Sequence, residues 1–161
     1  MSRRRPAATT HRIGPDARLA IAAARFNDPI VSRLLSGAVD RLRELGVDDA
    51  RVEVFRVPGA FELPLAAKLL IETGRFAGII CLGCVIRGET VHFDLVAGEA
   101  ARGIQQVSLM TGVPVIFGVL TTENEAQARS RSGGRHGHAG RSAADAAVEM
   151  ICLAQTLRAG R

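Results

Sequence analysis

The chain has 161 residues, a formal charge of +5 and 47% apolar residues, with no Trp, no Tyr and three cysteines. That suffices for one domain with its own core and not for two, and no apolar run approaches the ~20 residues of a membrane span. The odd cysteine count, and arginines in "MSRRRPAATTHRIGPD" with no apolar stretch behind them, argue against a disulfide scaffold or a secretory signal and for a reducing cytoplasm.

Residues 1–15 read as a flexible arm before a single domain over 16–161. "RLAIAAARF" (18–26) is a short continuous apolar run, as expected of a strand buried on both faces. In "DPIVSRLLSGAVDRLRELG", Ile30, Leu34, Leu35, Ala38, Leu42 and Leu45 recur at helical steps, with Pro29 suited to the first turn and Gly46 to the stop. "RVEVFRV" (51–57) alternates like a strand. The next helix starts near Pro64 and stops at Gly74. "AGIICLGCVI" (77–86) is a second buried strand, 92–112 a long helix and "VPVIFGVLT" (113–121) another strand. "TENEAQARSRS" opens with Thr122 and Glu125 spaced like a helix cap. Basic residues then cluster at Arg129, Arg131, Arg135 and Arg141. "SAADAAVEMICLAQTLRAG" closes the chain as a helix with Ala144, Ala147, Val148, Ile151, Ala154 and Leu157 on one face.

Strand and helix alternate four times, with one helix more. Right-handed crossovers then give an α/β fold: a flavodoxin-like, three-layer α/β/α sandwich whose four-stranded parallel sheet is flanked by helices. Ligands bind such folds beyond the carboxyl ends of the strands. The functional loops are therefore "RFN", "VPGAFE", "CVIRGETVHFD" and "FGVLTTEN".

Cys81 and Cys84 form a Cys-x-x-Cys, but within a strand side chains three apart point to opposite faces. They cannot grip one metal or close a disulfide without a bend at Gly83, so both read as core or pocket wall, not as a thioredoxin-like redox pair. His92 follows the turn "RGETV" at a helix start, where the positive helix end favours a neutral imidazole able to shuttle protons. A purely structural histidine is the competing reading. The same terminus offers backbone N–H groups at Gly88, Glu89 and Thr90 to an anion. His136 and His138 have no carboxylate or cysteine nearby in sequence, so no metal is expected. No Gly-x-Gly-x-x-Gly, Walker loop or Gly-x-Ser-x-Gly is present. Arginine suits phosphate, but without Trp or Tyr to stack bases a small phosphorylated ligand or a solvated loop fits the basic cluster better than nucleic acid.

Together "ARFN", "VPGAFELP", "LGCVIRGETVHFD", "FGVLTTENEAQA" and "RHGHAGRSAADAAVEM" resemble, in order and spacing, the lumazine synthase family over residues 17–157. The resemblance implies a transferase of riboflavin biosynthesis. It would condense 5-amino-6-(D-ribitylamino)uracil with 3,4-dihydroxy-2-butanone 4-phosphate to 6,7-dimethyl-8-ribityllumazine, releasing phosphate and water, with no cofactor and no metal. The alternative is a weakly active or non-catalytic lumazine- or flavin-binding relative of the same fold.

By that resemblance Phe26 lies against the pyrimidine, and Ala60, Phe61 and Glu62 line the pocket, Glu62 accepting from ribityl hydroxyls. Cys84, Val85 and Ile86 run past the ring. Glu89 and Thr90 hold the phosphate and Arg131 pairs with it. Phe117 closes the ring site, and it and Arg131 come from the neighbouring subunit. His92 moves the protons. Cys84 stands where Thr is frequent, and "GHAG" (137–140) replaces the family's usual "GNKG", so Ala139 takes the place of a lysine near the phosphate. Arg135, Arg141 and His138 are the candidate replacements for its charge. The resemblance also implies a homopentamer, a sixty-subunit particle of twelve pentamers as its larger form, and riboflavin synthase as a partner. No nucleic acid and no membrane are expected.

Overall fold

A computed structural model describes residue 7 and residues 10–160. The expected arm lies in part outside the described residues. Its last portion packs on the domain: Ile13 is buried, the Gly14 amide donates to Gln155 Oε1 at 3.1 Å and Arg51 donates to the Gly14 carbonyl at 2.6 Å.

The elements run β1 (Leu19–Ala24), α1 (Asp28–Glu44), β2 (Val52–Val57), α2 (Leu63–Glu72), β3 (Gly78–Ile86), α3 (His92–Thr111), β4 (Val115–Thr122), α4 (Glu125–Arg131), β5 (Ser132–Gly134), β6 (Gly137–His138) and α5 (Ala139–Ala159). β1 to β4 form one parallel sheet in the order β2-β1-β3-β4. The three-layer sandwich follows. Period-two alternation splits β1 between two cores. Leu19, Ile21 and Ala23 face Leu34 and Leu42 of α1 and Val148 and Ile151 of α5. Ala20 and Ala22 face Leu63 and Ala67 of α2 and Ala100 and Ile104 of α3. Each fully buried Leu or Ile contributes about 1.5–3 kcal/mol, so the α1–α5 side, with its larger side chains, is the heavier half of the core.

The expected helix stops hold. Gly46 and Gly74 take φ of 82° and 69°, a left-handed turn that a side chain resists. Three local readings differ. The cap of α4 is Asn124, not Thr122: Asn124 Oδ1 accepts from the Gln127 amide at 2.9 Å and Gln127 Oε1 accepts from the Glu123 amide at 3.0 Å. Thr122 is instead the buried last residue of β4. A short antiparallel hairpin, β5–β6, forms within the glycine-rich loop. It delivers the chain to α5 three residues earlier than the Ser142 start expected from the apolar periodicity. Among the described residues no helix is long and apolar enough to cross a membrane.

Candidate active site

At the end of β1 the chain must turn sharply onto α1. Asn27 makes the turn with φ 58° and ψ 40°, the one non-glycine with positive φ among the described residues. Asn tolerates this region better than most residues. Its Nδ2 donates to the Cys84 carbonyl at 2.8 Å, and the neighbouring Phe26 amide donates to the Pro58 carbonyl at 3.0 Å. Phe26 is thereby held between the ends of β2 and β3 and stays 72% exposed.

β3 outruns β1. Pairing between the two ends at Ala23 and Leu82, whereas β3 stays paired with β4 as far as Ile86. The β1-facing edge of Val85 and Ile86 thus has no strand partner, and a planar ligand there can pair with the backbone as a strand would. Opposite it, the turn at Ala60–Glu62 leads into α2, with Phe61 exposed and no bond to the Glu62 carboxylate among the described residues.

The β3–α3 connection is braced from outside. The Arg87 guanidinium lies 4.2 Å above the Phe93 ring and donates to Asp94 at 3.3 Å and Glu123 at 2.8 Å. Its amide donates to the Thr122 carbonyl. Asp94 foremost, then Glu123, raises the Arg87 pKa, so the brace stays charged. Within it the amides of Gly88, Glu89 and Thr90 donate to no protein acceptor among the described residues. His92 is the first residue of α3 and exposed. Its amide meets Thr90 Oγ1 at 3.4 Å.

These parts enclose one groove of about 570 Å³, which brings together Phe26, Ala60, Phe61, Glu62, Cys84, Val85, Ile86, Thr90 and His92. Asn27, Phe93, Leu95 and Val96 also line it, and sequence reasoning had given them no role. Glu89 is exposed beside the groove and does not line it.

Phe117 and Arg131 are elsewhere. They line a second, shallower cavity of about 380 Å³ between β4, α4 and α5, with His136, Ala139 and Ser142. β4 is one edge strand of the sheet, and Phe117 is 43% exposed on it. Arg129 is neutralised by Glu125 at 2.6 Å and Arg141 by Glu44 at 2.6 Å. Among the described residues Arg131 bonds only the Gln127 carbonyl, at 3.3 Å, and no carboxylate pairs with it. Half of the arginine cluster seen in the sequence is therefore internal pairing.

The cysteine pair is split as alternation requires, Cys81 in the α2–α3 core and Cys84 in the α1–α5 core. Burial pushes the thiols up to about 12 and about 11, so neither supplies a thiolate near neutral pH. No group of three or more His, Cys, Asp or Glu suited to a metal occurs among the described residues.

A model of the family described as 6,7-dimethyl-8-ribityllumazine synthase matches residues 16–155. A protein of that name from Chlorobium phaeovibrioides is 50% identical over 138 residues, 86% of this chain and 89% of its own. Another so named, from Chlorobium luteolum, is 51% identical over 138 residues with the same coverage.

Proposed function

Because the chain belongs to the 6,7-dimethyl-8-ribityllumazine synthase family, a family of transferases in riboflavin biosynthesis, we propose that it catalyses its reaction where the large groove of one protomer meets the β4 cavity of the next. The reaction condenses 5-amino-6-(D-ribitylamino)uracil with 3,4-dihydroxy-2-butanone 4-phosphate. Phe26 stacks on the pyrimidine, the unpaired edge of Val85 and Ile86 reads its polar rim, and Glu62 accepts from ribityl hydroxyls. Glu89 and Thr90 hold the phosphate through their amides. The partner's copies of Phe117 and Arg131 close the ring and pair with the phosphate. His92, at the groove mouth, carries protons during imine formation between the substrates and during phosphate loss. Holding two reactants together supplies much of the remaining acceleration.

The observation that carries this reading is the division of the site residues between two separate surfaces of one chain. Two different apolar patches accompany them. Phe26, Phe61, Val91 and Leu95 are exposed around the first groove, while Leu109, Met150, Leu153 and Leu157 are exposed where α3 and α5 end near β4. Unlike patches pair head to tail, and such contacts close into rings. The ring is a pentamer, twelve of which build the sixty-subunit particle, with riboflavin synthase as a partner. The three free cysteines favour a cytoplasmic location.

The test mixes both substrates with purified protein and follows lumazine fluorescence for wild type, His92→Ala and Arg131→Ala. Fast formation by wild type and losses in both variants are expected. A wild-type rate equal to the uncatalysed one overturns the reading and leaves a lumazine- or flavin-binding protein.

A further inference from the structure

The chain lacks the lysine that the family's motif carries at position 139, and the structure removes two of the three cations that sequence reasoning put forward in its place. Arg141 is held by Glu44 on α1 at 2.6 Å. The His138 ring packs over Gly37, where a Cβ would fall 2.0 Å from it, and so lies between α1 and the start of α5. The third, Arg135, is exposed but does not line the cavity that holds Arg131 and Ala139. A different group does: His136.

We propose that His136 is a phosphate-binding residue that stands in for the missing lysine, gripping the butanone phosphate together with Arg131. The inference rests on the placing of Arg131 at the phosphate under the proposed function. The cavity is lined by two basic side chains and by no carboxylate, which is the composition of an anion site. The imidazole is aimed, not loose. The His136 amide donates to the Ser130 carbonyl at 2.8 Å, and its Nδ1 lies 3.2 Å from Ser130 Oγ. The Ser130 hydroxyl is already directed to the Gln127 carbonyl at 2.9 Å, so its oxygen accepts the hydrogen bond from Nδ1–H and Nε2 is left for a ligand. With a proton on Nε2 as well, the ring donates to a phosphate oxygen. Ser130, which touches no substrate, is a positioning residue.

The experiment uses the full-length assembled protein. His136→Ala should raise the KM for the butanone phosphate about tenfold, the value of one hydrogen bond to a charged group, with the loss in KM and not in kcat. Competitive inhibition by inorganic phosphate should weaken by the same factor, and the KM for the ribitylaminouracil should not move. His136→Gln, which keeps a donor, should lose less, and Ala139→Lys in the His136→Ala protein should restore phosphate inhibition. Unchanged KM and phosphate inhibition in active His136→Ala protein overturn this inference alone. So does a loss shared by both substrates that neither Gln nor Ala139→Lys repairs, because that marks a collapsed hairpin. Absence of turnover in wild type overturns the proposed function instead.

Discussion

The side-chain amide of Asn27 donates to the Cys84 carbonyl oxygen at 2.8 Å, tying the end of β1 to β3 two residues past the last β1–β3 pair. One bond thus sets the position of Phe26 against the open edge of Val85 and Ile86. The left-handed backbone at Asn27 costs an ordinary side chain about 1–2 kcal/mol, and the lost bond adds about 1 kcal/mol.

Asn27→Ala should therefore be less stable than Asn27→Gly, because only glycine escapes the backbone cost. Both should raise the KM for the pyrimidine substrate. Thermal unfolding of the two variants checks this, and an Ala variant more stable than Gly contradicts it.

His92→Ala should lower kcat about 10²- to 10⁴-fold, the range of a positioned proton-transfer group, while substrate affinities stay close to wild type. Single-turnover kinetics separate the two effects. A variant with full kcat would remove His92 from the chemistry.

Protomers carrying His92→Ala and protomers carrying Arg131→Ala should each be poor catalysts alone. Co-assembled one to one, about a quarter of the interfaces regain both groups, given random mixing in a head-to-tail ring. Lumazine formation should recover in proportion. No recovery in a verified mixed assembly would place both groups within one protomer's site.

The Glu44 carboxylate is held down to about 2, first by the hydrogen bond from Arg141 and then by that from Arg41. A depressed carboxylate stabilises the fold above its unfolded value near 4.5 and loses that contribution as pH falls toward about 2. Glu44→Gln should thus narrow its stability deficit against wild type across that window. Equal acid profiles for the two proteins would show that the α1–α5 ion pairs do not matter to stability.

Alkylation of the native protein at about pH 8 should leave Cys81 and Cys84 unmodified, because their thiols stay protonated and buried. Replacing both by Ala should preserve lumazine formation. Modification of either before unfolding, or loss of activity in a stable double variant, would return the cysteine pair to the chemistry.

The groove of the candidate site was readable where local sequence alone decides it. The glycine-containing turn before α3, the aromatic after β1 and the aromatic pocket turn after β2 all sit at strand ends, where a parallel sheet presents ligand loops. Asn27 stood in a motif that was read, yet its role needed a φ angle and a carbonyl 57 positions away. The α4 cap was misplaced because Thr122 and Asn124 offer similar signals, and only the length of β4 chooses between them. His136 was weighed only as a metal ligand, because its neighbours in sequence are glycines and arginines, while the residues that share its cavity come from β4, α4 and α5.

By itself the sequence determined the order and kind of the four sheet strands and the helices between them, though not the β5–β6 hairpin, since short apolar runs and three- and four-residue spacings are set by the local backbone period. It also determined that Cys81 and Cys84 part company, for the same reason. Only the tertiary structure decided that β1, β2 and β3 gather one groove while Phe117 of β4 and Arg131 of α4 line another. Strand order is a choice among apolar runs that look alike along the chain, and it is made by which side chains pack across the sheet.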